Sequence, residues 1–146
     1  MKKILLFLGL FVAACSSVKG YDKEFKNPIF NQLLRPLGKT TGYAYLTPTS
    51  VKFSQLFDKD KIDYVGKCDL VENEQDRITL KCDGEWFDGS KDSSYFTYII
   101  KKEFFTGCLL IGEYSYDTPK DYPHLASYSS YCTTPPDYKE KESESD

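Results

Sequence analysis

The chain has 146 residues, of which 40% are hydrophobic and 16% aromatic, a composition that suits one small folded domain rather than two. Its formal net charge is −3, and loss of an N-terminal segment carrying Lys2 and Lys3 would bring it to −5. Because a negative surface repels the phosphate backbone, this composition argues against nucleic-acid binding.

The first 14 residues have the pattern of an export signal. Two lysines near the start supply a positive region, an apolar stretch occupies residues 4–12, and Ala13 and Ala14 are the small residues expected before a cleavage point. The apolar stretch is too short to cross a bilayer core of about 30 Å as a helix. Residues 1–14 are therefore predicted to be a cleaved signal peptide and not a permanent anchor.

The end of this segment, Val12-Ala13-Ala14-Cys15, resembles the bacterial lipobox, at which signal peptidase II cuts before a lipid-modified cysteine. The resemblance implies that Cys15 carries acyl chains such as palmitate and anchors the mature chain in a membrane of the cell envelope. Ser16, an uncharged residue after the cysteine, is similar to lipoproteins sorted to the outer membrane, which favours the outer over the inner membrane. The alternative is ordinary cleavage after Ala14, which would leave Cys15 as an odd thiol in an exported protein.

The polar segment 15–26 is predicted to be a tether, and the folded domain is predicted to span 27–132. Asn27 and Pro28 suit the N-cap and first turn of one short helix, with apolar residues at helical spacing as far as Leu34. The segment 133–146 contains the adjacent residues Pro135 and Pro136 near its start and ends in alternating Lys, Glu and Ser. This composition predicts a disordered acidic tail.

From residue 42 onward, the pattern changes to short segments rich in aromatic and β-branched residues, separated by turn clusters. The segment 51–57 is ambiguous between strand and helix. Short connections and the absence of crossover helices predict a mainly β fold, a small antiparallel sandwich or barrel built as a meander. The predicted strands are 42–47, 63–71, 77–87, 95–105, 107–116 and 126–132.

The four cysteines beyond Cys15 fit two disulfides in an oxidising compartment. Cys68 and Cys82 are equidistant from Gln75, the centre of a proposed turn, so antiparallel pairing about that turn sets them opposite each other. Cys108 and Cys132 would then pair by elimination. Sequence alone leaves all three connectivities open, and the spacings suit neither a redox motif nor a zinc site.

Two further features are candidate sites. His124, the only histidine, lies in a loop marked by Pro123 without a recognisable nucleophile motif, which favours a surface role over a catalytic one. The acidic segment 83–92 resembles a calcium loop but lacks its sixth-position glycine and terminal glutamate, so a hairpin turn explains it better. No metal ligand, cofactor or catalytic residue is predicted.

The tyrosines suit either the core of a sheet or an exposed face that binds a protein or a glycan. Tyr114 and Tyr116 share strand parity with Cys108, whereas Glu113 has the other parity, and this favours core positions for both tyrosines. The resulting prediction is a lipid-anchored envelope protein that binds a protein partner non-covalently and is not an enzyme. The alternatives are a hydrolase of envelope polymers, using His124 or a carboxylate pair in a cleft, and a lysozyme-inhibitor-like lipoprotein.

Overall fold

The computed structural model describes residues 24–37, 42–55, 58–105 and 108–133, with the backbone alone at 103–105. The predicted signal peptide, Cys15 and most of the predicted tether lie outside the described residues, as does the tail from 134 onward. None of the short helical turns in the described ranges has the length and apolar character that a membrane-crossing helix needs.

The domain is an antiparallel β-barrel, nearly closed, which confirms the predicted mainly β meander and selects the barrel over the sandwich. Seven strands follow one another around the wall, and the first short strand returns to pair with the last. The strands are β1 (Arg35–Pro36), β2 (Tyr43–Thr47), β3 (Ser50–Gln55), β4 (Asp58–Asn73), β5 (Arg77–Trp86), β6 (Lys91–Phe105), β7 (Cys108–Tyr116) and β8 (Ser127–Thr133).

The barrel closes through the segment just before β1. Leu34 forms an isolated antiparallel bridge with Ala44 of β2, and the two backbone hydrogen bonds between them are each 3.0 Å long. β1 itself pairs with β8 on its other side. Leu34 is fully buried. The seam therefore joins β2 to β8 without leaving either as a long open edge.

The predicted N-terminal helix exists only as a single 3-10 turn, Pro28–Asn31, with the Asn27 side chain accepting a hydrogen bond from the backbone N–H of Ile29. The N-cap prediction is confirmed, but the helix does not reach Leu34. The turn ends because the backbone is already extended at Gln32, as barrel closure requires of the segment that leads to the Leu34 bridge.

Residues 24–26, which were predicted to be part of the tether, belong to the domain. Phe25 is buried in the core, 5.9 Å from Phe30 between ring centroids. Backbone groups of Glu24 and Lys26 exchange hydrogen bonds with the side chain of Asn73. The segment 24–31 thus covers one end of the barrel, which we call the closed end.

The opposite end, which we call the mouth, carries the turn between β5 and β6 and the longer connection between β7 and β8. The latter contains a second 3-10 turn, Pro119–Asp121. At the closed end, β8 runs one residue further than predicted, because Thr133 is buried and donates a hydrogen bond to the side chain of Gln32. Both ends of the described chain leave the domain at the closed end.

Both predicted disulfides are confirmed. Cys68 and Cys82 are directly opposed in the β4–β5 register and join the buried core cluster. Cys108 and Cys132 link β7 to β8, with their Cα atoms 5.5 Å apart.

Candidate functional site

Each strand of the barrel presents one row of side chains to the interior and one to the outside. Cross-strand register fixes which row is which: Phe96 of the core cluster is opposite Ser115, so Ser115 faces inward, as does Glu113 two residues before it. Tyr114 and Tyr116 consequently lie on the outer face. The domain has two separate candidate sites, one on each side of its wall.

The outer face of β6, β7 and β8 carries a continuous cluster of tyrosine rings, which we call the tyrosine face. Its members come from the strands and from the connection between β7 and β8, which folds back over them. Ring centroids of adjacent members are 4.9 to 5.5 Å apart, in stacked, tilted and edge-on pairs. The members are Tyr95, Tyr114, Tyr116, Tyr122 and Tyr128.

Three cations lie over these rings. The Lys101 ammonium is 5.4 Å from the Tyr114 ring centroid and 5.7 Å from that of Tyr128. Lys81 lies 5.9 Å from the Tyr95 centroid, and the Arg77 guanidinium lies 5.2 Å from that of Tyr122. Each distance is within the range of a cation–π contact. Arg77 also pairs with Glu72, whereas Lys81 and Lys101 form no ion pair with a described residue.

A row of hydroxyl groups fixes the buried side of the tyrosine face. The Tyr116 hydroxyl is 2.8 Å from Thr97 Oγ1, which is in turn 2.8 Å from Thr79 Oγ1. Burial raises the pKa of Tyr122, and the positive charge of Arg77 acts in the opposite direction. Tyr116 is only 8% exposed while Tyr128 is 50% exposed, so the cluster has a buried base and an accessible rim.

The sequence pattern predicts that Tyr114 and Tyr116 face the core. This prediction is wrong, because both side chains lie on the outer face of the barrel. The two residues do share parity with Cys108, as predicted, but that disulfide lies outside the core cluster. Tyr116 is buried because Tyr122 of the β7–β8 connection packs against it, with 5.1 Å between ring centroids. Burial on the outer side of a barrel needs such a covering loop, and strand parity carries no information about one.

The second candidate site is a cavity of about 300 Å³ inside the barrel at the mouth. Aromatic rings, serine hydroxyls and carboxyl groups line it, and no lysine or arginine of the described residues does. Its volume is at the lower end of the roughly 300–1,000 Å³ typical of small-molecule sites. The lining residues are Gly42, Phe53, Ser54, Asp63, Trp86, Asp92, Ser94, Phe96, Glu113, Ser115, Ser129 and Tyr131.

Glu113 is the most deeply placed carboxyl group of this cavity, at 6% exposure. Burial raises its pKa to about 7, although interactions with the hydroxyl groups of Tyr98 and Tyr131 act in the opposite direction. The pKa of Tyr98 and that of Tyr131 are raised, mainly by burial and then by the charge of Glu113, so both rings stay neutral at physiological pH. Near pH 7, Glu113 thus exchanges its proton while its hydroxyl neighbours do not.

Buried polar atoms without partners accompany Glu113. Its Oε2 atom and the Oγ atom of Ser54 are both enclosed and have no hydrogen-bond partner among the described residues. The Tyr64 hydroxyl is a third such atom, and its ring lies over Gly84, where a Cβ atom would come closer than 3.0 Å. Burial of a polar atom without a hydrogen-bond partner costs free energy, so a polar ligand that pairs with these atoms would bind favourably.

The remaining sequence-based candidates lie away from both sites. His124 is exposed on the β7–β8 connection and does not line the cavity. The segment 83–92 forms the β5–β6 hairpin, in which the Asp88 carboxylate accepts hydrogen bonds from the backbone and side chain of Ser90. In the part of the chain that the structure describes, no three His, Cys, Asp or Glu side chains are grouped to hold a metal ion.

Comparison of the chain with models of protein families, with curated proteins and with solved structures gives no match in any of the three.

Proposed function

We propose that this protein is a lipid-anchored component of the bacterial cell envelope, more specifically of the outer membrane, that binds a protein partner non-covalently through the tyrosine face. Lipid on Cys15 would hold the domain at the membrane. The observation that carries the binding proposal is the cluster of five tyrosine rings with cations on the outer wall of a rigid barrel.

The construction of the tyrosine face supports recognition of a protein. Tyrosine and arginine are enriched among residues that dominate binding energy, because a large ring buries much area at a low cost in conformational entropy. Tyr114 and Tyr128 form a pair with 4.9 Å between ring centroids, and their neighbours in the cluster restrict their motion. A partner would therefore meet a preorganised surface and lose little entropy in ordering it.

The charges of the tyrosine face indicate the chemistry of its partner. Arg77 is already neutralised by Glu72, but Lys81 and Lys101 have no carboxylate partner among the described residues. Their positive charge is held in place by ring faces and points to a partner that contributes Asp or Glu side chains. We therefore propose a partner with an acidic segment, seated over Tyr114 and Tyr128.

Binding has more structural support than the hydrolase alternative. His124 is exposed and lines no part of the cavity, so it has no enclosed serine or carboxylate beside it there. The cavity does hold Glu113 with Asp63 and Asp92, but about 300 Å³ accommodates a small group rather than a length of polymer. The lysozyme-inhibitor alternative differs from the proposal in its partner alone, and identification of the captured protein separates the two.

The first test places a photo-crosslinking amino acid at position 128 of the full-length chain in living cells. We expect a specific adduct from position 128 and none from position 52, because Lys52 is exposed on β3, which four strands separate from β8 in the order of the sheet. Adducts are measured by mass shift on denaturing gels, and the partner is identified by mass spectrometry. Equal adducts at both positions, or none at either, would reject the tyrosine face as the binding surface.

Charge reversal sharpens the same experiment. Lys101→Glu should reduce the adduct from position 128 at least tenfold, a change of about 1.4 kcal/mol, because it repels an acidic partner. Lys52→Glu changes the net charge equally and should leave the adduct unchanged. If both reversals have the same effect, the partner responds to overall charge and not to this surface.

The anchor has a separate test. Cys15→Ala should abolish labelling of the protein by a radioactive or alkyne-tagged fatty acid and move it from the membrane fraction to the soluble fraction. The physical reason is that each buried CH₂ group contributes about 0.8 kcal/mol, so loss of the acyl chains removes the whole membrane attachment. Ser16→Ala is the matched control, with labelling expected to persist. Unchanged labelling of the Cys15→Ala protein would contradict the lipoprotein proposal.

A further inference from the structure

The interior cavity is independent of the tyrosine face, since inward and outward side chains of the same strands build the two sites. We propose that the cavity is a binding site for a small organic cation, an ammonium ion attached to an aromatic or other apolar body, with Glu113 as the group that receives the ammonium. This proposal does not depend on the proposed protein partner or on the lipid anchor.

The charge of the cavity wall selects the sign of the ligand. Three carboxyl groups line the wall, those of Glu113, Asp63 and Asp92, while no cationic side chain of the described residues does. In a recess that is partly shielded from water, such a wall disfavours an anion and favours a cation. An ammonium ion fits better than a metal ion, because no three of these groups converge as metal ligands within the described residues.

Unpartnered atoms define where the ammonium would lie. Glu113 Oε2 and Ser54 Oγ are buried acceptors without hydrogen-bond partners among the described residues, and both residues line the cavity. An ammonium group has three donors and no acceptor, so it can satisfy both atoms at once. A neutral alcohol could donate to Glu113 Oε2 and accept from the Ser54 hydroxyl, but it brings no positive charge to the carboxylate, and a charge-assisted hydrogen bond is the stronger one.

The remainder of the wall fits an apolar body. Phe53 and Phe96 make an edge-on contact with 5.3 Å between centroids, and Tyr131 and Trp86 complete an aromatic lining. Aromatic faces attract an organic cation through cation–π contacts as well as by burying its apolar surface. Trp86 is 38% exposed and stands at the mouth, where an entering ligand would pass it.

The protonation of Glu113 would make binding depend on pH. Burial holds the pKa of Glu113 at about 7, so the carboxylate that receives the ammonium forms as the pH rises through this value. Tyr98 and Tyr131 face Glu113 and remain neutral, and Asp63 and Asp92 are the other acidic groups on the cavity wall. An alkylammonium ion, which titrates near the range of lysine, keeps its charge across the same interval.

Trp86 provides a direct readout, because it is the only tryptophan of the chain and it lines the cavity. The full chain, purified as its cells produce it and held in phosphatidylcholine vesicles if it carries lipid, is titrated with 2-phenylethylamine, 2-phenylethanol and 3-phenylpropanoate at pH 8. We expect a saturable change in Trp86 fluorescence with the amine, at least tenfold weaker binding of the alcohol, and no binding of the carboxylate. Amine affinity should rise between pH 6 and pH 8.

Glu113→Gln is the decisive variant, since it keeps the shape of the side chain and removes its charge. It should lower amine affinity at least tenfold and abolish both the preference over the alcohol and the dependence on pH. Glu74→Gln, which makes the same change at an exposed carboxylate of the closed end, is the matched control and should bind the amine like the parent. Circular dichroism confirms that each variant is folded.

Three results would overturn the proposal. They are the absence of a saturable change with any probe at millimolar concentration, equal affinity for the amine and the carboxylate, and unchanged amine binding by Glu113→Gln. None of them bears on crosslinking at position 128, and failure of that crosslinking leaves the fluorescence titration unaffected. The two proposals therefore fail separately.

Discussion

Replacing both Cys68 and Cys82 by alanine is expected to lower the free energy of unfolding by about 4 to 5 kcal/mol, more than replacing Cys108 and Cys132 together. Chain entropy alone predicts the opposite order. The sequence separations of 14 and 24 residues correspond to roughly 3 and 3.5 kcal/mol respectively, because the longer loop gains more freedom when its bridge is lost.

The positions of the two disulfides relative to the core reverse this order of expected stability losses. Cys82 is fully buried and Cys68 is 9% exposed, and both belong to the interior cluster. Truncation to alanine removes two sulfur atoms from close-packed surroundings and adds roughly 1 to 2 kcal/mol for the void. In the other bridge Cys108 is also buried, at 6% exposure, but Cys132 is only half-buried and neither residue belongs to that cluster, so we expect a smaller void there.

Urea unfolding of the two double variants, followed by circular dichroism under oxidising conditions, measures the difference. The Cys108→Ala, Cys132→Ala protein serves as the matched control, since it too loses one bridge and two sulfur atoms. A larger loss of stability in that control than in the Cys68→Ala, Cys82→Ala protein would show that loop length outweighs core packing in this barrel.

The second large effect concerns pH. Burial raises the pKa of Glu113 from 4.5 to about 7, so between these values the folded protein keeps a proton that the unfolded chain has released. The contribution of Glu113 to stability therefore falls as the pH rises from about 4.5 to about 7, and it is fully present only below that interval. The difference between the two pKa values corresponds to a loss of about 3 kcal/mol in the free energy of unfolding once Glu113 is fully ionised.

Glu113→Gln should remove this loss, because its amide stays neutral. Relative to the parent protein, the variant is expected to gain about 3 kcal/mol between pH 4.5 and pH 8, as measured by urea unfolding at a series of pH values. Glu85→Gln, which alters an exposed carboxylate on β5, should leave the pH dependence of the parent unchanged. A parent whose stability is constant across this interval would contradict the raised pKa of Glu113.

Local patterns predicted the strands well, because alternation and turn residues are encoded within each hairpin. The equal distances of Cys68 and Cys82 from Gln75 gave the correct disulfide, and the register between β4 and β5 keeps that symmetry until a bulge beyond Leu70. Closure of the barrel could not be predicted in the same way. It depends on contacts of Leu34 with Ala44 and of Phe25 with the core, made by a short segment without periodicity.

The candidate sites were predictable only in part. The alternation of Glu113 with Tyr114 correctly indicated that the two residues occupy opposite faces, but the face assigned to each was reversed. A disulfide does not by itself mark the core, since Cys108 is buried outside the core cluster. The cavity was missed because its carboxyl groups are far apart in sequence, as Asp63 and Glu113 illustrate.

The cover of the closed end has a mechanical consequence. Tension applied to the chain ahead of Glu24 reaches the barrel first through the segment 24–31, whose backbone is held by the side chains of Asn73 and Gln75. Under load these few hydrogen bonds are pulled before any strand pairing, and their rupture withdraws Phe25 from the core. In a domain held by its N-terminus, the segment 24–31 is thus the part that would detach first, at the end remote from the mouth. Sustained pulling would remove Phe25 from the core while the hydrogen bonds between the strands remain intact.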